Sequence, residues 1–262
     1  MFRTLISPDA NAGIGAAFTD RHGGVTPGTL GSLNLGRTDA DSIDRVETNI
    51  ERVRRAVEVS TVVALSQVHS ADVVVVDDAF LASWGPRSYL GAPGGQRSLV
   101  EADAMVTRAA DVALMIRVAD CVPILLADHA AGVLGAVHAG REGLLAGIVG
   151  RTVDVMREQG ARDLVAWVGP HICGPCYEVD EAMAERVRAT HPQLVVPSRW
   201  DTPALDLGSG VTAELEERGV TVVGLDPCTR TSDDLHSHRR DSAGAGRIAG
   251  IIWRVAGVAS IG

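Results

Sequence analysis

Residues 112–156, VALMIRVADCVPILLADHAAGVLGAVHAGREGLLAGIVGRTVDVM, decide the fold. Three apolar, β-branched runs, Val112 to Val118, Pro123 to Ala127 and Val133 to Val137, are separated by short turns and read as strands. The period then changes. Leu144, Leu145, Ile148, Val149, Val153 and Met156 recur at helical spacing and predict one amphipathic helix just after the third strand. Strands and helices mixed in one chain define an α/β class.

The same signals extend in both directions. Val62 to Leu65, Val73 to Val76, Leu164 to Val168, Val220 to Leu225 and Ile248 to Val255 predict further strands. Val46, Ile50, Val53 and Val57 form a second helical stripe, with Arg52, Arg54 and Arg55 on its solvated side. Two irregular connections are expected: a Gly- and Pro-rich surface loop from Trp84 to Gln96, and a stretch from Pro192 to Pro203. Neither is flanked by a shift in composition, so a single domain is expected over 1–262.

Bulk composition narrows the function classes. With 262 residues, 46% apolar and 22% charged, the chain can bury a sizeable core. No apolar run reaches the roughly 18 residues of a membrane span, and the segment Met1 to Pro8 is too short for a signal peptide. A cytoplasmic protein with no membrane partner, a monomer or weak homo-oligomer, is expected. The net charge of −9 and the lack of a basic block argue against a nucleic-acid partner. The chain contains no lysine, which removes P-loop, Schiff-base and lysine-base chemistry. In that setting Cys121, Cys173, Cys176 and Cys228 read as thiols, ligands or nucleophiles rather than a disulfide framework.

Three of the strand ends carry ligand-type residues. His69 follows the strand of 62–65, Cys121 sits in the turn of VADCVPILL, and His138 ends VLGAVH just before AGREG. Side chains on loops at strand ends converge readily on a rigid scaffold. Two imidazoles and a thiolate suit zinc, and three protein ligands leave a fourth position open. The spacing matches no local zinc motif, so core packing remains the alternative reading for each residue alone.

More specific is the ordered series RHGGVTPGTLGSLNLG, QVHSADV, EADAMVT, ADCVPILL, GAVHAGREGLLAGIV, GPHICGPCYEV and CTRTSDDLHSHRRDSAGAGRIAG. From about Phe18 to Gly250 the chain resembles the family once called multicopper polyphenol oxidases or laccases. Its members are now mostly described as zinc-dependent purine nucleoside phosphorylases with adenosine deaminase activity. Some are described as peptidoglycan-precursor editing hydrolases. The resemblance implies a mixed-sheet layered sandwich with helices over two stacked sheets, of the cytotoxic-necrotizing-factor/cysteine-hydrolase-like kind. It also implies metal ligation by the His of QVH, the Cys of ADC and the His of VHAG, here His69, Cys121 and His138. The implied substrates are small molecules, phosphate and a nucleoside such as adenosine, inosine or methylthioadenosine. Departures fall around the substrate: the family's HAGWRG is His138 to Gly143 here, without the Trp and with Glu142. His236 and His238 replace an aromatic pair, and Ile50 stands where Arg is common after Asn49.

Phosphorolysis requires an oxyanion site. Candidates are the backbone N–H groups from Gly140 to Gly143 at a helix start, and the guanidinium forks of Arg21 and Arg239. Arg240 is expected to be structural. Deamination requires a proton carrier near the metal, for which Asp120 and Asp103 lie closest in sequence, and Cys121 itself is a candidate catalytic thiolate. Cys173-Gly174-Pro175-Cys176 resembles a thioredoxin dithiol but follows a strand, so packing is preferred over redox chemistry. A second metal on Cys173, Cys176 and Cys228 has no support in the spacing. Three competing readings are a copper-dependent phenol oxidase, a cysteine hydrolase using Cys121, and a non-catalytic binding module. With a single His-x-His pair, at 236–238, the chain lacks the repeated pairs of a multicopper oxidase.

Overall fold

The computed structural model describes residues 1–85, 88–90, 99–224 and 227–255. Among these residues thirteen strands run in chain order: β1 (Phe2–Ile6), β2 (Ile14–Thr19), β3 (Thr61–Ala64), β4 (Val73–Val76), β5 (Ala104–Thr107), β6 (Val112–Val118), β7 (Val122–Asp128), β8 (Val133–Ala139), β9 (Val165–Val168), β10 (Val195–Pro197), β11 (Pro203–Leu205), β12 (Thr221–Gly224) and β13 (Ile248–Arg254). The helices are α1 (Ile43–Ala56), α2 (Asp78–Ala82), α3 (Arg141–Leu145), α4 (Ile148–Glu158), α5 (Glu181–Thr190), α6 (Leu207–Glu217) and α7 (His238–Asp241).

The strands form two mixed sheets, one of five strands in the order β1-β2-β13-β6-β3 and one of six in the order β12-β9-β7-β8-β5-β4, plus the pair β10-β11. Among the described residues, only β3–β6, β4–β5 and β9–β12 pair parallel; the other ladders are antiparallel. Side-chain alternation shows how the sheets stack. On β6 and β7, Leu114, Ile116, Leu125 and Ala127 meet Phe18, Met105, Leu134 and Trp167 between the sheets. The alternate residues Ile124 and Leu126 face α4 and α6 through Val149, Val153, Val211 and Leu215. On the other side, Ala113, Met115, Ile251 and Trp253 pack under Val46, Ile50 and Val53 of α1. The result is a helix–sheet–sheet–helix sandwich, which is why the central strands are apolar without alternation.

Local chemistry explains the helix boundaries and corrects several expectations. Ser42 caps α1 by accepting from the Arg45 N–H, with Asp44 in its first turn and Arg54 and Arg55 in its last. The single helix expected over 144–156 is two: Gly147 adopts φ 82°, left-handed backbone that ends α3 before α4 begins. The irregular stretch 192–203 contains β10, paired with β11. Within the expected surface loop of 84–96, the turn Ser88–Leu90 buries Tyr89 and Leu90 against the α1 side of the core, while residues 86–87 and 91–96 lie outside the described residues. Leu225, the expected end of β12, also lies outside them. The strands β1, β2, β5, β10 and β11 are additions to the strands expected from the sequence. None of the helices in the described residues is long and apolar enough to cross a membrane.

Candidate metal centre

The two stacked sheets exchange strands at one end of the sandwich. The chain passes from β3 in the five-stranded sheet to β4 in the six-stranded one, and His69 lies in that crossing. It passes again from β6 to β7, and Cys121 lies in the second crossing. The third member, His138, is the penultimate residue of β8, opposite Pro123 of β7 and so next to the Cys121 turn. The fold therefore brings together three residues distant in sequence, and their ligand atoms all lie within 4.8 Å of one another. His69 Nε2 is 3.7 Å from Cys121 Sγ, and the two imidazole rings meet edge-on at 4.9 Å.

Asp103, fully buried beside β5, organises this cluster. Its carboxylate accepts hydrogen bonds from three successive backbone N–H groups, Val68 (3.2 Å), His69 (3.0 Å) and Ser70 (2.6 Å). Those bonds hold His69 in left-handed backbone, at φ 63°. Asp103 Oδ1 also accepts from His138 Nδ1 at 2.7 Å, leaving Nε2 as the ligand atom. Burial would raise the Asp103 carboxyl, but His138 and the Ser70 N–H outweigh it and hold the group below the usual carboxylate range. Burial likewise opposes charge on the other two members. The hydrogen bonds and charge of His138 and His69 nevertheless bring the Cys121 thiol down to about 6, while Asp103 and Cys121 raise His138 to about 9. A thiolate at neutral pH is the form that both metal ligation and nucleophilic chemistry require. The donor set, its convergence and the Asp103–His138 bond fit a zinc-type ion with an open position.

A cleft of about 890 Å³ opens over the cluster, lined by His69, Cys121 and His138 together with Arg37, Arg117, Arg247 and His238. Sequence reasoning misses the three arginines, because they come from separate segments that carry no motif of their own. Among the described residues, Arg117 and Arg247 have no carboxylate partner within 4 Å. Burial, then repulsion from Arg247 and Arg37, lowers Arg117 to about 10. Such crowding of cations at a cleft wall is relieved by an anion. Asn34 fixes the backbone at or beside two of them, Arg247 and Arg37: its Oδ1 accepts from the Gly36 and Arg247 N–H groups, and its Nδ2 donates to Gly36 O and Asp41. Asn49 on α1 donates in turn to Asn34 O. The RHGGVTPGTLGSLNLG segment thus acts in part as a mount for the arginine wall.

The other candidates fall in different places. Neither Arg21 nor Arg239 is among the described residues lining the cleft. Arg21 donates to Thr29 O, while Arg239 donates to Glu178 O and stacks on Tyr177, its guanidinium carbon 5.0 Å from the ring. Arg240 binds the carbonyls of Thr229, Ser232 and Leu235, as expected of a structural residue. Asp120 has both carboxylate oxygens engaged, one by Thr229 Oγ1 and one by the Arg239 N–H, each at 2.6 Å. α3 is only five residues long. Gly140 has a separate reason to be glycine: a Cβ there would collide with the His69 ring and approach Cys121 Sγ to 3.3 Å. At Gly143 a Cβ would crowd Ser70 O.

A layered α/β sandwich with a His–Cys–His cluster where strands cross between sheets defines the class of this protein. Residues 15–255 match the family described as multi-copper polyphenol oxidoreductase laccase, and the chain belongs to that family. It is 44% identical over 241 residues to a Streptomyces coelicolor protein named purine nucleoside phosphorylase, an alignment covering 90% of this chain and 93% of the relative. A Deinococcus radiodurans protein of the same name is 37% identical over 252 residues, covering 95% and 90% of the two chains. Among solved structures, YlmD from Geobacillus stearothermophilus superposes with a TM-score of 0.79 at 29% identity, covering 97% of each chain. A Neisseria meningitidis protein matches with a TM-score of 0.79 at 30% identity, over 97% of this chain and 99% of that one.

Proposed function

We propose that the chain is a purine nucleoside phosphorylase, converting a nucleoside and phosphate to the free base and ribose 1-phosphate, with adenosine deamination at the same zinc-dependent site. One observation carries this reading: an open His–Cys–His cluster shares a cleft with two arginines that lack an acidic partner among the described residues. The cleft volume of about 890 Å³ accommodates a nucleoside and phosphate together. The relatives named purine nucleoside phosphorylase support the same class of reaction.

His69, Cys121 and His138 would hold zinc, which when bound supplies a Lewis acid at an open coordination position. Arg117 and Arg247 bind phosphate through their planar forks and screen its charge as one of its oxygens approaches the ribose carbon. As the glycosidic C–N bond breaks, the purine leaves as an anion and takes up a proton. His238, an exposed imidazole on the cleft wall, is the candidate donor. Asp103 keeps the His138 ring in its ligating tautomer. Asp120, with both oxygens engaged, holds the Arg239 backbone and the Thr229 hydroxyl rather than carrying protons. Arg239 and the glycines at 140 and 143 remain neighbours of the site, and Arg21 is assigned to loop structure.

Arg247→Ala tests the phosphate assignment. It should raise the KM for phosphate by about 10-fold or more, as expected for loss of one charged contact of about 1.5–3 kcal/mol, while moving the nucleoside KM far less. Equal changes in both constants would remove Arg247 from phosphate binding.

A second reading rests on Cys121 itself, a thiolate within reach of imidazole. The same pair would serve a cysteine hydrolase acting on a peptidoglycan precursor. Copper-dependent phenol oxidation draws less support: among the described residues, the other group able to hold a metal consists of three cysteines, not histidines.

A further inference from the structure

Cys173, Cys176 and Cys228 have no role in the cleft chemistry, yet the fold gathers them. Cys173 and Cys176 flank a tight turn after β9, in which the Cys176 N–H donates to Cys173 O at 2.9 Å. Cys228 follows β12, the parallel neighbour of β9, and the pairing continues beyond both strands as a bridge between His171 and Cys228. The Thr229 N–H donates to His171 O, and the Cys173 N–H points at Cys228 Sγ at 3.4 Å. All three sulfurs lie within 4.8 Å of one another, and none is in a disulfide. Sulfurs bound to one zinc at about 2.3 Å stand roughly 3.8 Å apart, so a small side-chain adjustment would complete the set.

Hydrophobic packing does not explain the group. Only Cys176 is fully buried; Cys173 and Cys228 are partly exposed and gain little from a thiol as a core filler. The geometry points to a second metal site, in which Cys173, Cys176 and Cys228 bind a thiophilic closed-shell cation, Zn2+ in the first instance, as three thiolates. Each sulfur releases its proton to solvent on binding, and no electron is transferred. Three thiolates on a divalent cation carry one excess negative charge. The Arg230 guanidinium, which donates to Cys176 O at 2.8 Å, lies beside the turn to offset it.

The site's consequence is structural. The Ile172 N–H donates to Asp120 O, and Thr229 Oγ1 donates to the Asp120 carboxylate. Both of these partners of Asp120 therefore sit one residue from a cluster cysteine. A cation there would tie the segments after β9 and β12 into one wall behind the turn that carries Cys121.

The test uses the full-length chain, stripped with a chelator and reloaded with Co2+ or Zn2+ without oxygen. The double variant His69→Ala/His138→Ala removes the first centre and leaves the second, so the result does not depend on the activity proposed above. Wild type should bind two equivalents by elemental analysis and this variant one. The variant should keep a thiolate-to-cobalt charge-transfer band, and Zn2+ should protect the partly exposed Cys173 and Cys228 from alkylation. Cys173→Ser/Cys228→Ser should lose one equivalent relative to wild type. The inference is overturned if wild type binds a single equivalent and Cys173 and Cys228, the partly exposed pair, alkylate as fast with Zn2+ as without it in wild type and in the folded histidine double variant. Recovery of a disulfide among the three cysteines from the metal-loaded protein would overturn it equally. Because alkylation is read on protein that retains all four cysteines, poor folding of a cysteine variant does not change the outcome.

Discussion

Cys121→Ala is expected to abolish metal retention and turnover together. Cys121 supplies the one sulfur of the proposed first centre, beside His69 and His138 in the turn from β6 to β7. Alanine removes the donor without adding bulk, and among the described residues the remaining three cysteines form their own group. Two imidazoles retain zinc far less well than three donors, and the loss in turnover should exceed the about 10–100-fold typical of disturbing a residue behind a ligand. Metal content by elemental analysis and turnover on adenosine with phosphate should fall in parallel. Full turnover by a variant without metal at this centre would refute the ligand assignment.

Asp103→Ala should have the largest effect on stability. Its carboxylate gathers the N–H groups of Val68, His69 and Ser70 and the ring of His138, with Asp103 itself closed to water. Alanine leaves those donors unsatisfied and removes the partner of a buried imidazole. Breaking a buried charged pair in this way costs about 3–5 kcal/mol. Thermal unfolding should therefore shift down by several degrees or more, and the His69 segment should lose its left-handed turn. Asp103→Asn, of nearly the same volume, should fold better but lose about 10–100-fold in metal affinity, because its amide group cannot accept every one of these bonds. An unchanged melting temperature in Asp103→Ala would show that the carboxylate does not hold the site together.

The contrast between Asp103 and the cleft arginines shows what the primary sequence can convey. β6, β7, β8 and α1 are legible because their side chains are buried on one or both faces, and burial imposes an apolar pattern. β2 is harder to read: Ile14 to Thr19 contains Gly15 opposite Trp253 and a pair of alanines, small residues whose burial depends on partners far along the chain. β10 and β11 are three-residue strands defined mainly by pairing with each other. The break between α3 and α4 turns on one glycine conformation within an otherwise continuous apolar stripe.

The site divides in the same way. His69, Cys121 and His138 follow from strand ends and from the family motifs that carry them. Asp103 stands out in the sequence only as a nearby acid; its four hydrogen bonds depend on β5 lying beside β8 and under the 68–70 turn. Arg117 and Arg247 lie on β6 and at the approach to β13, neighbouring strands in space but far apart in sequence. The cysteine group depends likewise on β9 and β12 being parallel neighbours, which brings Cys228 to the Cys173–Cys176 turn. Local chemistry can be read from the chain; convergence depends on topology.

The most direct measurement is product analysis on the zinc-loaded, full-length protein incubated with adenosine, with and without phosphate. Adenine and ribose 1-phosphate are expected only when phosphate is present, and inosine without it. Zinc that remains bound while adenosine is left unchanged under both conditions would contradict the nucleoside reading and leave the Cys121 hydrolase in its place.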